Sequence, residues 1–186
     1  MVESTQLMAE GAATYRTGID FCKIFTEEMN SLYLLAYLLT ADSNKAEQCF
    51  VGALGECVES AGAFMEWAHS WARRTIIKQA IRTIMPSPEY PDPVSLVNPN
   101  GTSACGKCSQ MGAIVALGAF ERFVFVMSVL EGQSDEDCST LLRCSQRDVK
   151  IARALALVQL QNAYNPNSPP IDAVGSWRTM FAHHRA

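Results

Sequence analysis

Although 48% of its residues are hydrophobic, this sequence has no uninterrupted apolar run near the length of about 20 residues that a membrane span needs. Its first residues, MVESTQLMAEGAATYRTG, lack both the basic start and the apolar stretch of a secretory signal, which points to the cytoplasm. Charge is sparse at 18%, with a formal net charge of −4; that balance argues against a general nucleic-acid coat but leaves room for a local basic face. The 7 cysteines are odd in number and scattered, so no disulfide framework is expected, and most should be reduced and buried as small apolar residues. There is no strand-like alternation, no internal repeat, no glycine-rich phosphate loop and no nucleophile–base constellation. These absences point away from an enzyme and imply no cofactor. Cys105-Gly-Lys-Cys108 could supply two zinc ligands, but a structural site needs four and no second pair follows. Inert linker cysteines are the favoured reading, with a redox pair as the alternative. His183-His184, in the C-terminal stretch, reads as a solvent-exposed pair.

What remains is helical, and an all-α fold follows. Residues near Thr26–Met85 contain no proline, and Leu32, Leu35, Ala36 and Leu39 recur at the spacing of one helix face. Asp42-Ser43-Asn44 reads as a capped turn. The next helix, near Lys45–Glu59, places Phe50, Leu54 and Cys57 inward; Gly52 and Gly55 within it each cost roughly 1 kcal/mol relative to alanine. A third helix, near Phe64–Ile84, carries Trp67 and Trp71, then Arg73, Arg74, Lys78 and Arg82. Core packing is the preferred reading of the tryptophans, and stacking on unpaired bases is the alternative. Pro86, Pro88, Pro91, Pro93 and Pro99, with Asn100-Gly101, then forbid a continuous helix. The layout is two small helical domains, 1–85 and 111–163, joined by a Pro-rich linker, 86–110, and followed by a C-terminal tail, 164–186.

The second helical stretch gives the sharpest local signal. An apolar helix over Phe120–Leu130 ends at Glu131-Gly132, where glycine can take the left-handed cap position. Ser134-Asp135-Glu136-Asp137 then opens a helix, with serine as cap and acidic residues at its positive end. After a turn at Arg143-Cys144, Ser145-Gln146-Arg147-Asp148 repeats the pattern. The result is a helix-turn-helix near Ser134–Leu157. On a wheel of about 100° per residue, Val149, Ala152, Leu155 and Ala156 are assigned to the inner side. Gln146, Lys150 and Arg153 are assigned to the outer one, with Arg147 at its margin and Asp148 as a cap. Long polar and cationic side chains on an outward face suit a major groove; an ordinary helical hairpin with a solvated charged face is the rival reading.

The segment FERFVFVMSVLEGQSDEDCSTLLRCSQRDVKIARALALVQL (Phe120–Leu160) resembles the C-terminal helix-turn-helix domain of extracytoplasmic-function sigma factors. It shares with them an apolar helix, Leu-Glu-Gly, Ser-x-x-Asp, a small residue at Cys138, Leu141-Leu142, a Cys-Ser turn and Val149. SLYLLAYLLTADSNKAEQCF (Ser31–Phe50) resembles the family's polymerase-docking helix pair. FMEWAHSWARRTIIKQAIR (Phe64–Arg82) is similar to the helix that recognises the −10 element. The resemblance implies a transcription initiation factor that directs RNA polymerase to promoters. Its partners would be promoter DNA, core RNA polymerase and an anti-sigma factor. By position it implies DNA contacts with the −35 element from Gln146, Arg147, Lys150 and Arg153. Arg143 is a further DNA candidate, as are Arg74, Lys78 and Arg82 of the cation cluster, which could equally serve only to favour the negative end of their helix. Polymerase contacts would come from Glu47 and Gln48, with Leu35 and Phe50 in the core. The chain departs from the family at Gly52, Gly55, Ala72-Arg73-Arg74 and Arg143, the last at a turn position often held by glycine. Two alternatives therefore stay open: a helix-turn-helix regulator that does not bind polymerase, and a helical interaction module without DNA binding.

Overall fold

The computed structural model describes residues 18–59, 67–88 and 110–164. Among them 85% are helical and none is in a strand, so the protein is all-α. Most of the proposed linker, with Cys105 and Cys108, lies outside the described residues, as does the tail with His183 and His184.

The first half is built from α1 (Gly18–Glu27), α2 (Met29–Thr40), α3 (Ser43–Glu59) and α4 (Ala68–Ile84). The face expected on α2 is the one buried: Leu32, Leu35, Ala36 and Leu39 are each at most 3% exposed. Asp42 opens α3 as anticipated, its carboxylate accepting from the Lys45 amide at 2.9 Å. Helices α2, α3 and α4 pack on one another, and α1 lies mainly against α3. Helix α1 precedes the helical stretch expected from Thr26 onward; its Phe21, Ile24 and Phe25 carry the helical spacing and are buried. Phe25 meets the half-buried Phe50 edge-on, with ring centroids 5.2 Å apart. Leu54 is likewise only partly buried, while Cys57 is fully enclosed.

The second half contains α5 (Gln110–Val115), α6 (Ala119–Phe125), α7 (Asp135–Leu142) and α8 (Gln146–Tyr164). Helix α6 runs on through a π-helical turn, Val126–Leu130, with the Glu131 amide bonding the Val126 carbonyl at 2.9 Å. Ser128 donates back to the Val124 carbonyl at 2.7 Å, a side-chain bond of the kind that bends a helix. Every residue from Arg122 to Val129 is buried, which explains why Phe123–Met127 is apolar on all sides. The turn then ends at Gly132, whose φ of 70° is the left-handed cap its sequence position called for.

The buried apolar residues of both halves belong to one contiguous cluster, because α2 also packs on α5 and α6. Two arginines reinforce that junction. Arg122, buried in α6, donates to the Leu39 carbonyl at 3.2 Å and the Leu117 carbonyl at 2.8 Å. It thereby satisfies one of the carbonyls that the last turn of α2 leaves without a helical partner. Arg73 of α4 grips Glu131 with two hydrogen bonds, Nε–Oε2 at 2.7 Å and Nη2–Oε1 at 2.6 Å, and donates to the Ser31 hydroxyl at 2.9 Å.

Candidate nucleic-acid interface

Helices α7 and α8 form a helix-turn-helix whose boundaries are set by local chemistry. The Asp137 amide donates to the Ser134 hydroxyl at 3.0 Å, and that hydroxyl donates to the Asp137 carboxylate at 2.6 Å. Ser145 and Asp148 make a reciprocal box at the head of α8: the Asp148 amide bonds the Ser145 hydroxyl at 3.1 Å, and the Ser145 amide bonds the Asp148 carboxylate at 3.0 Å. Asp148 is thus a cap, as anticipated. Between the helices Arg143 adopts φ 53°, and the following Cys144 amide returns to the Ser139 carbonyl at 3.1 Å.

A left-handed arginine is strained by roughly 1 kcal/mol relative to glycine. Arg143→Gly should therefore raise the unfolding free energy by about 1 kcal/mol, read by urea denaturation. A loss of stability would mean that the arginine side chain supports the turn.

The interior of the motif is apolar and built largely from small residues. Val149, Ala152, Ala156 and Leu160 of α8 are at most 3% exposed, as is Cys138 of α7. Burial pushes the Cys138 thiol up to about 11, helped by the Asp135 and Asp137 carboxylates, so it remains a protonated apolar group at neutral pH. Among the other described cysteines, Cys49 and Cys57 are buried, Cys144 is partly so, and Cys22 is exposed.

The outward face differs from the wheel reading by a rotation. The buried residues step through 149, 152, 156 and 160, which leaves Leu155 on the flank, half-buried rather than inside. Arg147 consequently occupies the middle of the exposed side instead of its margin, beside Lys150 and Ile151. Gln146 is exposed at the head of the helix. Arg153 sits one helical turn beyond Val149, so it follows the buried stripe and reaches Asp135 at the start of α7, where both guanidinium Nη atoms bond the carboxylate. Its hydrogen bond holds the Asp135 carboxyl below the usual range, with further attraction from Lys150. Arg153 is therefore a tie between α7 and α8 rather than an open phosphate contact. Arg147 and Lys150 have no ion-pair partner among the described residues.

The other sequence candidates separate in the same way. On α4, Arg82 is held by Glu56 at 2.7 Å. Lys78 lies over the Trp71 ring, 5.4 Å from its centroid, and Arg74 is exposed. Trp67 and Trp71 do not pack in the core: they are 67% and 37% exposed, because the inward side of α4 is taken by Ala68, Ala72, Ile76 and Ala80. They line an open groove of about 1020 Å³ together with Arg73 and Arg74 and the acidic Glu27, Glu28, Glu131 and Asp137. On α3, Glu47 and Gln48 are exposed beside Val51. Gly55 faces open space, whereas a side chain at Gly52 would come within 3.4 Å of Gln79. That is ordinary contact with a flexible side chain, so nothing in the structure requires glycine at either position.

No protein-family profile and no curated protein matches the chain. The exposed cations at the head of α8 stand on geometry alone. No helix among the described residues is long and apolar enough to cross a membrane, and no group of three or more potential metal ligands occurs among them.

Proposed function

We propose that this protein is a sigma-like transcription initiation factor that binds duplex DNA in a sequence-dependent way through the first two turns of α8. The observation that carries the reading is the doubly capped helix-turn-helix. Its second helix turns Val149, Ala152 and Ala156 inward and leaves Gln146, Arg147 and Lys150 exposed at its head. The N-terminal part of such a helix enters a major groove; because the Asp148 carboxylate caps the helix start, the attraction for phosphate comes from Arg147 and Lys150. Gln146 and Arg147 are assigned to base edges and Lys150 to phosphate; Arg153 positions the helix by its tie to Asp135. The resemblance of Phe120–Leu160 to the sigma-factor pattern favours promoter DNA as the target and the −35 element as the sequence read. At the head of α4, exposed Trp67 and Trp71, the latter with Lys78 over its ring, stand near Arg74 as rings and cations of the kind that bind unpaired bases, beside the carboxylates of Glu27, Glu28 and Asp137. Exposed Glu47 and Gln48 on α3 are the proposed contacts with core RNA polymerase.

The test is a selection on random duplexes with wild type, Arg147→Ala and Lys150→Ala, with circular dichroism confirming the fold. Arg147→Ala should lose about 1–3 kcal/mol of discrimination at one base pair. Lys150→Ala should weaken all sequences alike and lower the salt slope by about one unit. Unchanged affinity and salt dependence in both variants would remove the DNA assignment. Retention of core polymerase and transcription from a promoter library test the second half of the proposal; duplex binding without either would make the protein a regulator that acts apart from polymerase.

A further inference from the structure

Ile151 is 42% exposed on the outer side of α8. A single exposed isoleucine is ordinary on a protein surface; its position is what matters. It follows Lys150 directly and lies four residues beyond Arg147, hence one turn along the same face; exposed Ala154 and Val158 continue that face away from the two cations. The buried side of the helix is already filled by Val149, Ala152, Ala156 and Leu160, so Ile151 contributes nothing to the core. The result is an apolar branched side chain flanked by two cations that have no ion-pair partner among the described residues. That combination suits the floor of a phosphate-lined groove. Cations engage phosphate oxygens or guanine, and the one apolar feature that bases present in the major groove is the thymine 5-methyl group.

We propose that Ile151 is a specificity-determining residue that packs on the 5-methyl group of thymine. The contact lies within about two base steps of the base pair read by Arg147, since four residues of helix advance about 6 Å against a rise of about 3.4 Å per base pair. This inference rests on the proposed duplex binding by α8 and adds to it the chemistry of one base. Ala154, being small and exposed on the same side, leaves room for the groove wall to approach. Arg153 is excluded from this contact by its bonds to Asp135.

The experiment uses the full chain and the duplex enriched by wild type, with each thymine replaced singly by deoxyuridine, which keeps every hydrogen-bonding group and lacks only the methyl. Wild type should lose about fourfold in affinity at one or two positions, the worth of one buried methyl group. The Ile151→Ala variant, folded by circular dichroism because the residue is exposed, should bind the thymine and uracil duplexes equally at those positions. If Ile151→Ala keeps the full discrimination, or wild type has no methyl-sensitive position, the inference fails while duplex binding stands. A change of oligomeric state in Ile151→Ala by sedimentation, with discrimination intact, would assign the residue to contact between two copies of the chain and also overturn it. If wild type binds no duplex, or Arg147→Ala and Lys150→Ala both bind as wild type does, the proposed function falls and takes this inference with it.

Discussion

Arg73→Met should lower the unfolding free energy by about 3 kcal/mol, because it removes the doubly hydrogen-bonded cation from a carboxylate that the fold has largely taken out of water. The Glu131 side chain is 9% exposed and that of Arg73 19%, and two short hydrogen bonds join them. Burial opposes the Arg73 charge, but the hydrogen bonds and the charge of Glu131, with Glu28 farther off, outweigh it and raise its pKa. The discriminating control is Arg73→Met with Glu131→Leu. Removing both charges abolishes the desolvation penalty along with the attraction, so the double variant should recover most of the loss. Urea unfolding of wild type, both single variants and the double variant gives the coupling energy. Because the pair joins α4 to the segment just before α7, and the core is continuous across the same junction, wild type should unfold in one transition by all probes. An Arg73→Met protein within about 0.5 kcal/mol of wild type would show that the pair holds the two halves only weakly.

Val149→Asp should cost about 4 kcal/mol or unfold the helix-turn-helix outright, since it removes a fully buried apolar side chain and puts an unpaired carboxylate in its place. Val149 is 0% exposed. Its neighbour Lys150 is exposed, and Lys150→Asp should change stability by no more than about 0.5 kcal/mol while sharply weakening any interaction with phosphate. The pair of variants separates packing from recognition at adjacent positions. Thermal unfolding followed by circular dichroism reads the first, and duplex binding at low and high salt reads the second. Equal stability of the two variants would mean that the rotation assigned to α8 is wrong.

Short-range chemistry was legible in the sequence because its partners lie within one turn of chain. The caps at Ser134 and Ser145 bond residues three positions away, and the left-handed Gly132 needs no distant group. The buried stripe of α2 follows from its period alone. Helix α1 was also within reach of that reasoning, through Phe21, Ile24 and Phe25, although a short segment carries few repeats of the pattern.

The sequence by itself determined the all-α class, the positions of the helix caps and the small residues that let α8 pack closely. Only the tertiary structure decided which cations remain open. Arg153 and Asp135 are 18 residues apart, Arg82 and Glu56 are 26, and Arg73 and Glu131 are 58. A cation at the edge of a helical stripe looks outward on a wheel until a neighbouring helix brings it a carboxylate. The same holds for Trp67 and Trp71, which are large and apolar enough for a core but were left outside when smaller residues filled the inward side of α4. Periodicity fixes a helix against its own axis, whereas the direction that counts as inside is set by the helices packed against it.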